Sequence, residues 1–108
     1  MKGVAALIFS LLLLSACDKG YEARFVNYYS ESIDTLVVGA SGAIFTNVAF
    51  KQTTDYLPVK QGKHRLQFVT RSKKRIAGDF EVPATGTGRY TIQLDGVQQI
   101  SILEDANQ

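Results

Sequence analysis

The sequence predicts an all-β fold, a single antiparallel, immunoglobulin-like β-sandwich of about seven to eight strands. From residue 22 onward, apolar and polar residues alternate with the two-residue period of strands. No window keeps the i, i+3, i+4, i+7 spacing of a helix over a useful length. Turn residues separate the runs at intervals of roughly ten residues, which is typical of a sandwich. Closure into a barrel is the alternative architecture.

The alternating runs predict eight strands and the direction of their side chains. The strands cover residues 24–28, 32–38, 43–50, 54–59, 64–70, 76–82, 88–94 and 97–103. In the second strand Ile33, Thr35 and Val37 are expected to face the core, because they share one phase of the alternation. Asp95-Gly96 predicts a two-residue type I′ turn before the last strand. Later strands are expected to bury Leu66, Phe68, Phe80, Val82, Tyr90, Ile92 and Leu94.

A short apolar segment precedes the strands. Lys2 supplies a positive charge, and residues 4–14 are apolar except for Ser10. This run is shorter than the ~20 residues of a membrane-spanning helix. The pattern is typical of a signal peptide.

The residues that follow resemble the lipobox of bacterial lipoproteins. They are Leu14, Ser15 and Ala16, which the resemblance assigns to signal-peptidase recognition, and Cys17. The resemblance implies that Cys17 carries diacylglyceryl and N-acyl lipid, with no other cofactor. Two or three acyl chains anchor a protein stably, whereas one does so only marginally. The predicted organisation is a signal peptide at 1–16, a lipidated cysteine and short tether at 17–21, a β-sandwich at 22–104 and a frayed tail at 105–108.

The residue after Cys17 bears on location. Asp18 resembles the sorting signal that retains enteric lipoproteins in the inner membrane. The expected location is therefore a lipid-anchored position on the periplasmic face of a Gram-negative envelope. Cys17 is the one cysteine of the sequence, so the exported domain cannot close an internal disulfide and depends on its core for stability.

The charge balance argues against a nucleic-acid partner. The chain has 12 Lys and Arg against 10 Asp and Glu, and Lys2 lies in the signal segment. The remainder is nearly neutral, so bulk electrostatics gives no sign of a surface built for nucleic acid.

Several short stretches resemble the domain-of-unknown-function family of immunoglobulin-like domains found in bacterial lipoproteins and surface proteins. They lie at residues 24–27, 32–37, 48–50, 54–59 with Gly62 close behind, and 89–92. The resemblance spans most of residues 22 to 96 and implies a fold and an envelope location rather than an activity. The chain departs from the family pattern at Tyr28-Tyr29-Ser30-Glu31 and at His64.

Residues suited to catalysis or metal binding are few. His64 is the one histidine and is expected to be a surface or half-buried residue at a strand end. Asp79 and Glu81 share a strand face, but no third oxygen ligand follows at the spacing of a calcium loop. The sequence therefore predicts no catalytic residue and no metal site, and a hydrolase is a distant alternative.

The run Arg71, Lys73, Lys74 and Arg75 places four cations at a predicted hairpin tip. If successive strands alternate in direction, the loops at 29–32, 51–53, 71–75 and 95–96 share the end far from the membrane. The candidate interaction surface at that end is Tyr28, Tyr29, Lys51, Arg71, Lys73, Lys74 and Arg75. Its expected partner is an envelope protein or an anionic envelope polymer such as a glycan; a solubilising charged turn is the simpler reading. The loops at 39–42, 60–63 and 83–88 are expected near the head groups, where Lys60 and Lys63 face the lipid.

The second candidate function is structural rather than binding. A structural β module that self-assembles by strand pairing would use an exposed sheet edge, either 43–50 or the terminal strand.

Overall fold

A computed structural model describes residues 20–105. The predicted signal peptide, Cys17 and Asp18 lie outside the described residues. The described part of the chain forms eight strands in succession: β1 (Tyr21–Asn27), β2 (Ile33–Val38), β3 (Ala43–Val48), β4 (Leu57–Val59), β5 (Gly62–Thr70), β6 (Arg75–Val82), β7 (Gly88–Leu94) and β8 (Ile100–Glu104). Each overlaps a predicted strand, and the all-β prediction is confirmed. A single 3-10 turn, Gly39–Ser41, joins β2 to β3.

Two four-stranded sheets pack face to face as a β-sandwich. Their strand orders are β4-β1-β7-β8 and β3-β2-β5-β6. Successive strands reverse direction, so β1 and β7 both run away from the amino-terminal end and pair in parallel, with Tyr21 opposite Gly88 and Asn27 opposite Leu94. The other neighbours are antiparallel. Alternation of direction was expected, but it does not make every neighbour antiparallel, because strands distant in sequence can lie side by side.

Aromatic and aliphatic side chains fill the space between the sheets. Phe25 of β1 lies between Phe68 and Phe45 of the facing sheet, with ring centroids 5.6 and 6.3 Å away. Leu36, Leu66, Ile92 and Leu94 are fully buried around them. Each such side chain contributes about 1.5–3 kcal/mol through burial. The core is thus built without a disulfide in the described chain.

The predicted inward set of β2 is wrong in its second half. Leu36 and Val38 are buried, whereas Thr35 and Val37 lie on the opposite face. The cause is a β-bulge against β5, where Ile33 pairs with Thr70 but Thr35 pairs with Val69. An extra residue in one strand shifts the phase of every side chain that follows it. The inserted residue is Asp34, whose carboxylate reaches the β5–β6 hairpin.

The predicted type I′ turn at Asp95-Gly96 is also wrong. The backbone N–H of Asp95 donates to Gln99 and that of Gln98 donates to Asp95, at 3.0 and 3.1 Å. This closes a three-residue loop with Gln98 in the left-handed region at φ 67°, a common hairpin form. The Asp95 carboxylate accepts from the N–H groups of Val97 and Gln99 and fixes this wider loop.

Both domain boundaries extend beyond the predicted ones. β1 begins at Tyr21, inside the segment expected to be tether, and the carbonyl of Gly20 accepts from the N–H of Gly88. Asp105, expected in the frayed tail, accepts hydrogen bonds from Tyr56 and Thr91. No helix of the described residues is long and apolar enough to cross a membrane.

His64 is more buried than expected, with 6% of its surface exposed. Its Nε2 donates to the carbonyl of Lys60 at 2.7 Å, and the hydroxyl of Ser41 lies against the ring. Gly39, in the left-handed region at φ 43°, packs directly on it. The ring therefore joins the 3-10 turn to the β4–β5 loop at the amino-terminal end of the sandwich.

Gly39→Ala is expected to destabilise the fold by about 2–3 kcal/mol, combining left-handed strain with a clash. The new Cβ would stand 2.8 Å from Cβ and Nδ1 of His64. Gly42→Ala is the matched control, since Gly42 is left-handed at φ 84° with no atom within 4 Å, and it should cost about 1 kcal/mol. Urea denaturation measures both; equal losses would contradict the clash.

Candidate interaction surface

Four loops meet at the end of the sandwich opposite Tyr21, which we call the distal end. They are residues 28–32, 49–53, 71–74 and 95–99. The N–H of Arg71 donates to Ser32, and that of Tyr28 donates to Leu94. Val26 forms an isolated bridge with Thr53. The loops predicted to share one end do so.

Asn27, at the end of β1, connects these loops and is fully buried. Its Nδ2 donates to the carbonyls of Glu31 and Val48, each at 2.9 Å. Its Oδ1 accepts from the N–H of Tyr29 at 2.8 Å. The backbone N–H of Asn27 donates to the carbonyl of Gln52, and its carbonyl accepts from the N–H of Lys51. One side chain thus satisfies polar groups of the 28–32 loop and of the end of β3, while its main chain holds the 49–53 loop.

The basic tip is partly neutralised within the protein. Asp34 accepts from Lys73 at 2.8 Å and from Arg71 at 3.1 Å. These two bonds, Lys73 first, hold the pKa of the Asp34 carboxyl below its ordinary value of 3.8. Lys74 and Arg75 are exposed, and neither forms an ion pair with an acidic group of residues 20–105.

A second acid braces the same hairpin. Glu31 accepts hydrogen bonds from the backbone N–H and the hydroxyl of Ser72, at 2.9 and 3.0 Å. The backbone bond, followed by the hydroxyl bond, lowers the pKa of Glu31 from its ordinary value of 4.5. Glu31 and Asp34 therefore hold the 71–74 loop against the start of β2.

The two predicted tyrosines separate. Tyr29 is buried, with its hydroxyl accepting from Gln98, so it supports the surface rather than forming it. Tyr28 is 44% exposed. Sequence reasoning missed two further side chains at this end, Phe50 at 51% and Val97 at 77% exposed. Both were assigned to strands, and only the true turn positions could have revealed them.

The distal loops carry unusual backbone conformations. Lys51, Lys73 and Gln98 have φ of 73°, 74° and 67°. Glycine is the ordinary residue at such turn positions. A side chain there costs roughly 1 kcal/mol. Strained positions of this kind concentrate at functional sites. Lys51 directly follows exposed Phe50, and its Nζ lies 5.3 Å from the ring centroid.

A second polar cluster lies away from the distal end. On the outer face of the first sheet, the guanidinium groups of Arg24 and Arg89 lie over the ring of Tyr56, 5.0 and 4.6 Å from its centroid. Its hydroxyl donates to Asp105, which raises the pKa of Tyr56 above its ordinary value. This cluster ties the carboxyl-terminal end of the described chain to the sheet. Its charges are largely satisfied by one another.

The predicted pair Asp79 and Glu81 lies exposed on β6, with Asp79 3.7 Å from Arg65. Among residues 20–105, no group of three His, Cys, Asp or Glu side chains could hold a metal ion.

Comparison with known proteins informs the fold. No model of a protein family matches the sequence, and no curated protein matches it. An NMR structure of a protein from Eubacterium rectale is similar, with a TM-score of 0.55 and 12% identity over 85% of this chain and 93% of that chain. At this identity the similarity shows a shared β-sandwich fold.

Asn27→Ala is expected to destabilise the protein by about 2–5 kcal/mol, because it leaves the buried carbonyl of Val48, the partly buried carbonyl of Glu31 and the N–H of Tyr29 without this partner. Asn47→Ala is the control, since Asn47 is exposed at φ 51°, and it should cost about 1 kcal/mol. Urea denaturation compares them. A cost at Asn27 no larger than at Asn47 would contradict the connecting role.

Stability is expected to fall with acidification below about pH 4.5. Glu31 and Asp34 have depressed pKa values in the folded state, so their contribution is complete above the unfolded pKa values and is lost as the pH falls through the folded ones. Thermal melts between pH 6 and pH 3 should show a smaller decline for Lys73→Gln, which removes the first partner of Asp34. Identical declines would contradict this origin of the acid sensitivity.

Proposed function

We propose that the protein is an exported lipoprotein, anchored through lipid on Cys17, whose distal end binds a partner and which catalyses no reaction. The observation that carries the proposal is the assembly of four loops at the end opposite Tyr21. Loops held together by a rigid sheet framework are the usual place for recognition on sandwich domains. Resemblance of Leu14, Ser15, Ala16 and Cys17 to a lipobox supports the anchor.

The dimensions of the chain support an orientation in which the distal end points away from the membrane. Four residue steps lead from Cys17 to Tyr21 and span at most about 14 Å. β1 has 7 residues and would carry the distal end about 23 Å further from such an anchor. The opposite end would face the head groups, where the exposed side chains of Lys60 and Lys63 suit an anionic surface.

The side-chain chemistry supports a binding role over a hydrolytic one. The Nε2 of His64 donates a hydrogen bond to the carbonyl of Lys60, and the ring lies at the opposite end of the sandwich from the distal loops. Asp79 faces Arg65 on an open strand surface. These residues therefore lack the nucleophile and base arrangement that hydrolysis requires.

Self-assembly by strand pairing is the second candidate. β3 and β8 are edge strands, at the positions expected for such a module. The exposed side chains of β3, Ile44, Thr46 and Asn47, carry no charge that would discourage pairing. A groove beside β3 is lined by Ile44, Thr46, Gln52, Thr54 and the exposed residue Asp55.

Chemical crosslinking in cells, followed by purification of the tagged full-length chain, tests the binding role. The variant Lys51→Gln/Lys74→Gln/Arg75→Gln is expected to reduce the crosslinked partner about tenfold, because cations outside internal pairs drive the encounter. Lys60→Gln/Lys63→Gln, at the opposite end, is the control and should retain the wild-type yield.

Three outcomes would contradict the proposal. An unchanged yield in the distal variant removes the binding surface. Crosslinks that contain only a second copy of the chain support strand pairing instead. If the Cys17→Ser variant incorporates as much labelled palmitate as the wild type, lipid on Cys17 is not the anchor.

A further inference from the structure

We infer that the partner is a protein, and that it docks on an apolar platform formed by Tyr28, Phe50 and Val97 with Lys51 at its border. This inference rests on the proposed function and names the partner class and the contact residues. The platform differs from the basic tip that the sequence singles out.

The three apolar side chains come from three loops whose backbones touch. The carbonyl of Asn27 accepts from the N–H of Lys51, which brings the 49–53 loop to one side of Tyr28. The N–H of Tyr28 donates to Leu94 at 2.8 Å, which brings β7 and the 95–99 loop to the other side. A Cβ on Gly96 would lie 3.9 Å from the carbonyl oxygen of Tyr28. Tyr28 is therefore flanked by the loops that carry Phe50 and Val97.

The same side chains account for most of the exposed apolar residues. Five large apolar side chains in residues 20–105 are exposed, and three of them are Tyr28, Phe50 and Val97. The other two, Ile44 and Leu103, lie on β3 and β8, away from these loops. Exposed apolar groups collected at one place mark an interaction site, whereas single ones are ordinary.

Charge gives the chemistry of the partner. The acids of the distal loops are engaged internally: Glu31 with Ser72, Asp34 with Arg71 and Lys73, and Asp95 with backbone N–H groups. Lys51, Lys74 and Arg75 form no ion pair within residues 20–105. Glu31 and Asp95 keep their negative charge, because the groups that donate to them are neutral. The cations of the distal end still outnumber its acids, five (Lys51, Arg71, Lys73, Lys74 and Arg75) against three, so its net charge is positive and a complementary surface carries carboxylates around apolar side chains.

A protein surface fits this combination better than a glycan does. Aromatic side chains at a centre and charge at a rim are the usual anatomy of protein interfaces. An anionic glycan would use the cations and could stack on Tyr28 or Phe50. It offers nothing to Val97, an aliphatic side chain and the most exposed of the three at 77%.

Photocrosslinking in intact cells tests the inference. A benzophenone amino acid is placed at Tyr28, Phe50 or Val97 of the full-length chain, and at Ile44 and Leu103 as matched controls. Adducts are separated by mass and identified by mass spectrometry. We expect one protein, distinct from this chain, attached at the three platform positions and absent from both controls.

Two point variants then test the contact itself in the Val97 crosslinking chain. Phe50→Ser is expected to reduce the adduct about tenfold or more. Lys51→Gly should reduce it severalfold while raising the melting temperature, since glycine relieves the left-handed strain. Asn47→Gly, which relieves left-handed strain at an exposed, uncharged position outside the candidate surface, should leave the adduct unchanged.

The outcomes separate this inference from the proposed function. Adducts only to a second copy of the chain, equal adducts at Ile44 and Leu103, or an adduct unchanged by Phe50→Ser overturn the platform. If no protein adduct forms, while purified peptidoglycan retains the wild-type chain and releases the Lys51/Lys74/Arg75 variant, the proposed function stands and the protein partner falls. If neither probe is bound, both fall.

Discussion

The buried amide of Asn27 is the constraint on which the distal end of the molecule depends. β1 ends there, and the chain must leave the core without stranding polar backbone groups. The Asn27 side chain satisfies two carbonyls and one N–H, while its own backbone meets Lys51 and Gln52. Because one side chain serves several segments, they cannot move independently. The exposed residues between them are presented in one arrangement.

The distal loops divide their residues between structure and surface. Acidic groups are turned inward to brace turns, as Glu31 does for Ser72 and Asp34 does at the bulge of β2. Long side chains occupy three left-handed positions where glycine would be easier. Two of them, Lys51 and Gln98, directly follow the exposed residues Phe50 and Val97. Stability is lower there than glycine would give, a common trade between folding and recognition. The opposite end shows another pattern, in which His64 and Gly39 pack closely.

Much of the fold could be predicted from the alternation of apolar and polar residues alone, because a half-buried strand shows a two-residue period in its sequence. Features that depend on partner strands could not. The bulge at Asp34 reverses the phase of Thr35 and Val37, and its cause is the register with β5. The shared end of the four distal loops could be predicted, because successive strands alternate in direction. The burial of Tyr29 and the exposure of Val97 did not, since both depend on where turns begin.

If Asn27 holds the distal loops as one rigid, preformed surface, solution NMR of the isotope-labelled protein will detect that rigidity. Two resolved, slowly exchanging Nδ2 protons are expected on Asn27, with nuclear Overhauser contacts to residues 31 and 48. Backbone order parameters of about 0.85 are expected at Lys51 and Gln98. Rapidly exchanging Asn27 protons together with order parameters below about 0.6 in these loops would contradict that rigidity.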